Sequence, residues 1–319
     1  NAKWNFSETF TWSSPGFDLN DMGYMKETDY LMNETEIMYR QTDIWKIFRY
    51  NAFTLSQKNM WNYGGTPFSN NASLRWQSMT MNRYEWDVKE TFAWNWLDSR
   101  LLRGGPDVRF GSYFLTSAKF NTDKAKRMMF MLKYEGDHNF EGNRFNTISP
   151  SLTFRLGNHV YLSGQLDYAW NTDEMQYVAT TSPLSSSSLA PYYYVMGHMD
   201  QKTYGLTLKL QVNVTPDISI QFYGAPFTSI AKYDDFKLAA DTKSHTFENR
   251  FQRIDPDQLT YADGVYTIGE GAGQMPFRNP DFRFNEFRSN LVARWEYLPG
   301  STLYFVWEHR MSNRDNWYS

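Results

Sequence analysis

The 319-residue sequence contains no cysteine. Disulfides, thiolate metal sites and cysteine nucleophiles are therefore excluded. The same absence fits an exported bacterial protein. No run of about 18 apolar residues occurs, which excludes a transmembrane helix. Charge of one sign is missing as well: 32 Lys+Arg stand against 35 Asp+Glu, a net charge of −3. There is no basic excess to attract nucleic acid. The sequence also lacks a Gly-rich phosphate loop, a His-Glu-x-x-His helix and a Gly-x-Ser-x-Gly elbow. Its five histidines, His138, His159, His198, His245 and His309, form no short-spaced ligand pair. No catalytic set, metal site or cofactor is expected.

What is present is an odd pairing. Aromatic residues make up 18% of the chain, yet mean hydropathy is −0.65. A soluble domain of this length buries a large aliphatic core. A membrane barrel alternates apolar lipid-facing residues with polar lumen-facing ones, so its average stays polar.

Alternation is the dominant pattern. In Asn290–Tyr297, Leu291, Ala293, Trp295 and Tyr297 fall on one face, and Asn290, Val292, Arg294 and Glu296 on the other. A strand separates such sets and a helix mixes them. Leu298-Pro299-Gly300 then reverses the chain, and Leu303, Phe305 and Trp307 resume the pattern. The same period predicts 13 strands, at about 3–13, 30–41, 44–62, 70–81, 84–97, 111–121, 125–136, 146–156, 159–179, 192–214, 217–230, 283–297 and 301–313, with ends uncertain by about 2–4 residues.

Tight turns are expected near Thr42-Asp43, Met81-Asn82-Arg83, Thr122-Asp123-Lys124, Gly157-Asn158, Thr215-Pro216-Asp217 and Leu298-Pro299-Gly300. Longer loops are expected at about 14–29, 63–69, 98–110, 137–145, 180–191 and 231–282, in alternation with the turns. That rhythm predicts an all-β, transmembrane up-and-down antiparallel β-barrel in the bacterial outer membrane, with the turns periplasmic and the loops outside. A Greek-key sandwich would not produce it. The whole of 1–319 reads as one barrel region. An odd strand count cannot close an ordinary barrel. The start at Asn1 without a signal peptide and the ending Asn316-Trp317-Tyr318-Ser319 lead us to expect missing segments at both ends.

On this reading the lumen face carries Arg75, Arg127, Lys133, Arg155, Asp167, Lys209, Arg288, Arg294, Glu296, Glu308 and Arg310. Arg294, Glu296, Glu308 and Arg310 are expected to form a cross-strand ladder. Aromatics at the two membrane interfaces are Trp4, Trp12, Trp94, Trp96, Tyr168, Trp170, Trp295 and Tyr297. Glu8 and Glu90 fall in register with the lipid face, so each is expected near an interface or beside a register-shifting bulge.

The remaining candidates have plain readings. Asp255 and Asp257, with Asp263 and Glu270, are an acidic cluster able to hold calcium or act as acid and base. Glycines 264, 269, 271 and 273 favour a mobile, solvated loop instead, and Asp234-Asp235 reads the same way. Ser185–Ser188 is a low-complexity loop tip, and Tyr192–Tyr194 are interface anchors rather than a sugar platform. The sequons at Asn33 and Asn213 are chance matches.

Two stretches carry a family resemblance: FNEFRSNLVARWEYLPGSTLYFVWEHR at Phe284–Arg310 and PGFDLNDMGYM at Pro15–Met25. They resemble the C-terminal barrel region of a Bacteroidota outer-membrane family, domain of unknown function 5916. The resemblance implies an N-terminal carbohydrate-binding family-9-like domain and further strands upstream. It brings no catalytic residues to carry over. The function expected is a non-enzymatic outer-membrane pore, substrate-handling barrel or scaffold of a surface complex. Its expected partners are outer-membrane lipid, other outer-membrane or periplasmic proteins and glycans, and no nucleic acid. The alternatives are a membrane-associated hydrolase acting on glycans or lipids, and a soluble β-protein.

Overall fold

The computed structural model describes residues 3–18, 28–94, 96–184 and 191–315. The chain forms strands β1 (Trp4–Ser13), β2 (Tyr30–Gln41), β3 (Phe48–Trp61), β4 (Pro67–Thr80), β5 (Glu85–Trp94), β6 (Trp96–Asp98), β7 (Val108–Phe110), β8 (Tyr113–Asn121), β9 (Met128–Asn139) and β10 (Arg144–Leu156). They are followed by β11 (Val160–Thr181), β12 (Tyr193–Asn213), β13 (Ile218–Ala239), β14 (Phe251–Arg253), β15 (Leu259–Ala262), β16 (Val265–Ile268), β17 (Met275–Arg278), β18 (Phe282–Leu298) and β19 (Ser301–Asp315). Among the described residues there is no α-helix, only three short 3₁₀ turns.

Thirteen strands join in one antiparallel sheet in chain order, β1-β2-β3-β4-β5-β8-β9-β10-β11-β12-β13-β18-β19, and β14 adds to the far end of β13. The up-and-down order is the one expected. The sheet does not close on itself: among the described residues β1 and β19 each pair on one side only.

The pairing register fixes which residues share a face, because directly opposed residues project to the same side. Trp4, Phe6, Phe10 and Trp12 align with Tyr39, Ile37, Asn33 and Leu31. Leu162, Leu166 and Tyr168 align with Leu210, Leu206 and Tyr204. Leu291, Ala293 and Trp295 align with Trp307, Phe305 and Leu303. This apolar face is open: Phe6 is 69% exposed, Leu74 57% and Leu166 56%. The opposite face holds small polar residues that are buried, Ser73 at 5%, Ser149 at 5% and Ser229 at 4%. They are tied across strands, as in Ser149 to Asp167 (2.6 Å) and Gln201 to Ser229 (2.9 Å). The usual inside-out order of a water-soluble sheet is thus reversed.

Several expectations need correction. The connections near 63–69 and 137–145 shorten to 62–66 and 140–143, because β4 begins earlier than expected and β9 and β10 run on to Asn139 and back from Arg144. The strict alternation of short and long connections fails there. β13 continues to Ala239, and the stretch after it is built rather than loose: β15, β16 and β17 form a sheet of their own. Glu8 and Glu90 sit in unbroken register, so no bulge displaces them. Each is hydrogen-bonded by the threonine opposite, Thr35 (2.7 Å) and Thr116 (2.7 Å), with Asn33 also bonded to Glu8. Most of 14–29, the Ser185–Ser188 tip and Asn316–Ser319 lie outside the described residues.

The extensions of β11, β12 and β13 are buried on both sides. Successive strand residues point to opposite faces. Val195 packs with Phe236, Leu238, Ile268 and Phe277, whereas Met196 packs with Leu102, Val108, Met175 and Phe251. The connections 96–112 and 240–281 supply Leu102, Val108, Phe251, Ile268 and Phe277, and together they form a cap at the long-loop end of the sheet.

Candidate functional site

Ten of the eleven charged residues expected on one face share it by strand alternation, and Arg127 lies in the exposed turn before β9. Their partners are mostly local. Arg75 grips Asp87 with two nitrogens (2.8 and 2.5 Å), and Lys133 pairs with Glu135 (2.7 Å). Asp167 accepts from Ser149 and Gln165. Arg155 donates to the Lys124 carbonyl (3.2 Å), and Lys209 lines a shallow groove with Gln211 and Gln221.

The four-residue ladder does not form as drawn. Arg294 bonds Glu296 (2.6 Å), and Glu308 accepts from Asn290 (3.3 Å). Arg310 stands directly opposite Arg288, a like-charge pair. Glu286 lies between them and binds both at 2.9 Å. Glu286 and Asp87 were missed by sequence reasoning; both sit on the polar face, Glu286 two residues from Arg288 on the same strand and Asp87 twelve residues from Arg75 on the next strand, so alternation reveals only the first of these pairings.

Of the expected interface aromatics, Trp4, Trp12, Trp94, Tyr168, Trp170 and Trp295 lie on the apolar face. Tyr168 stacks on Trp170 and Tyr204 (5.2 and 4.9 Å between centroids). Tyr297 sits at a register shift between Glu296 and Leu298. Trp96 leaves the stripe: β6 pairs only with β7, and the Trp96 ring packs on Phe110 (5.3 Å) and on Tyr113 (5.4 Å), a polar-face residue.

The acidic cluster does not converge on one point, and one of its members shapes a turn. Asp255 caps the 3₁₀ turn Pro256–Gln258 by accepting from the Asp257 amide (3.2 Å), and Asp255, Asp257, Asp263 and Glu270 are all exposed. Among the described residues no group of three His, Asp or Glu side chains is placed to hold a metal ion. His198 meets Glu174 (3.1 Å) and Asp200 (3.6 Å) on β11 and β12.

The most organised polar group is in the cap. Arg250 is 1% exposed, and its five N–H donors meet five acceptors. These are the Ser244 carbonyl (2.8 Å), the Arg109 carbonyl (2.7 Å), the His245 carbonyl (3.3 Å) and both oxygens of Glu141 (3.0 and 2.7 Å). Glu141 also accepts from the Gly111 amide (3.0 Å). A side chain at position 111 would collide with Glu141, since a Cβ there would lie 2.5 Å from its carboxyl carbon. One buried ion pair therefore ties three connections together.

Asp281, between β17 and β18, accepts from the Tyr233 amide (2.7 Å). Burial raises its carboxyl above the ordinary 3.8 and outweighs the hydrogen bonds from Tyr233 and Asn279. The fold then holds this proton more tightly than the unfolded chain does, so stability falls as pH rises through the folded value. Asp281→Asn keeps the acceptor for Tyr233 and removes the charge. We expect it to melt slightly higher than wild type at pH 7, with the gap closing as pH falls through the raised folded value and gone below 3.8; parallel melts across pH check this.

No curated protein and no solved structure matches the chain. A family model described as a domain of unknown function, DUF5916, matches residues 1–319. The chain therefore belongs to the DUF5916 family.

Proposed function

We propose that this chain is part of the wall of an outer-membrane β-barrel that acts without catalysis of its own, as a capped, substrate-handling barrel. One observation carries the reading: the sheet exposes a predominantly apolar face and turns its polar face, with the charge pairs and buried hydroxyls, to the other side. In water such a face would be a large aggregation liability. Against lipid tails it is the favourable surface, and the polar face then lines the interior. Aromatic pairs at the ends of the stripes, such as Tyr168 and Trp170, suit the interface depth.

The open edges at β1 and β19 fit the same reading. Unpaired backbone groups are not tolerated in hydrocarbon, so on this reading both edges are covered by pairing in the assembled wall. The cap favours substrate handling over free passage, because it packs folded segments at the long-loop end. In the bacterium that makes it, the full-length protein is expected in the outer-membrane fraction, resistant to carbonate and released by detergent. Recovery in the aqueous fraction without detergent would refute the reading.

A further inference from the structure

The strongest unassigned feature is a cavity of about 300 Å³ under the cap. Its floor is a row across neighbouring strands on the polar face, where Asp137 stands opposite Phe145 and Phe145 opposite Asn171. Tyr113 flanks this row, and Trp96 and Phe110 roof it. We propose that this cavity binds a neutral sugar unit, most simply one residue of a glycan chain entering from the long-loop end.

Three observations support that chemistry. First, aromatic rings stand on a wall that is otherwise polar, and Phe145 is 37% exposed there. An exposed ring face on a polar wall is unfavourable in water and suits the C–H face of a pyranose, which the ring's negative quadrupole attracts. Second, the polar groups left over match hydroxyls. Asn139 spends its oxygen on the amides of Glu141 and Asn143 (2.9 Å each), and Asn143 spends its own on the Glu174 amide (2.7 Å). Their NH₂ groups remain as donors beside Asp137 and Asp173, which only accept when ionised. A hydroxyl gives and takes hydrogen bonds and can satisfy both kinds. A cation would use the carboxylates and leave the amide donors idle. Among the described residues no lysine or arginine lines the cavity, so an anionic ligand is disfavoured.

Third, the roof is fixed in advance. Phe110 lies between Arg109, whose carbonyl accepts from Arg250, and Gly111, whose amide donates to Glu141. The buried ion pair thus clamps the backbone on both sides of the roofing ring, and a ligand need not order it. The cavity is built by the polar face and the cap, so the proposal stands whatever surface covers the apolar face.

The test is isothermal titration of the full-length protein in a sugar-free detergent, since a maltoside would compete. The probes are maltohexaose, cellohexaose, xylohexaose and chitohexaose, with choline and arginine as cationic controls. Saturable binding of at least one oligosaccharide is expected. Trp96→Ala should weaken it about tenfold or more, in line with the loss of one stacking contact of roughly 1.5 kcal/mol. Trp96→Phe should retain part of the affinity, and Asn171→Ala should weaken binding with the melting temperature unchanged. No saturable binding by any oligosaccharide, binding indifferent to Trp96→Ala in a protein that melts normally, or binding by the cationic controls alone would each overturn the proposal. Membrane fractionation is read separately, so failure here and failure of the barrel reading stay distinct.

Discussion

Arg250→Met is expected to destabilise the cap by about 3–5 kcal/mol, the usual consequence of removing one partner of a buried ion pair. Methionine nearly fills the volume, so the effect is not a cavity effect. It leaves Glu141 in a site where that carboxylate is 13% exposed, and it strips the Ser244, Arg109 and His245 carbonyls of their donor. Two neighbouring contacts, Thr242 to the Asp107 carbonyl (2.7 Å) and Lys243 to Asp107 (2.9 Å), cross between the same segments but are less buried. Limited proteolysis checks the outcome. Cleavage should appear within 98–112 and 240–250 while the strands remain resistant, because the sheet's backbone ladder does not depend on the Arg250 side chain. The double variant Arg250→Met with Glu141→Leu should recover much of the loss, since replacing both partners by apolar groups removes the stranded charge. Equal damage in the double variant would mean that the donors to backbone carbonyls, and not the ion pair, hold the cap.

Leu208→Arg carries the second large effect. Leu208 lies midway along the apolar stripe of β12, between Leu206 and Leu210; it stands opposite Gly164 and Gly224, and its side chain covers Gly164. If lipid covers this face, an arginine near the bilayer midplane costs about 2–4 kcal/mol. If water covers it, replacing a leucine that is 39% exposed falls within about 0.5 kcal/mol. The neighbouring Thr207→Arg points to the polar face and serves as the control. The measurement is the fraction of protein that assembles in the outer membrane, read by heat-modifiable migration. Leu208→Arg should lower it several-fold and Thr207→Arg should not.

Much of the sheet was legible because period-two alternation is a local signal. Each stripe, such as Leu206–Val214, declares its two faces within a few residues, and Pro299-Gly300 or Gly157-Asn158 marks the reversal. The charged face was readable for the same reason. Pairing partners were not, because they depend on register between strands distant in sequence. Arg310 meets Glu286, 24 positions away, rather than Glu308. The cap was invisible for a different reason. Its segments are short strands of three or four residues set among glycines and polar residues, a composition that reads as loop. They are held by contacts that span more than a hundred residues, as between Arg250 and Arg109. Trp96 was placed on the wrong stripe because the alternation running through β5 seemed to continue, whereas β5 ends at Trp94 and β6 turns aside to pair with β7.

The central claim is that the apolar face of this sheet meets lipid and the polar face does not. The absence of cysteine from residues 1–319 makes it directly measurable, since a thiol introduced there has no rival within the sheet. Spin labels placed one at a time at positions 206 to 211 of β12, in protein reconstituted into liposomes, would report collision with oxygen and with a water-soluble nickel complex. The account predicts strict alternation: positions 206, 208 and 210 accessible to oxygen and shielded from nickel, and 207, 209 and 211 the reverse or shielded from both. Nickel access at 206, 208 and 210 equal to that of a water-exposed site would contradict it.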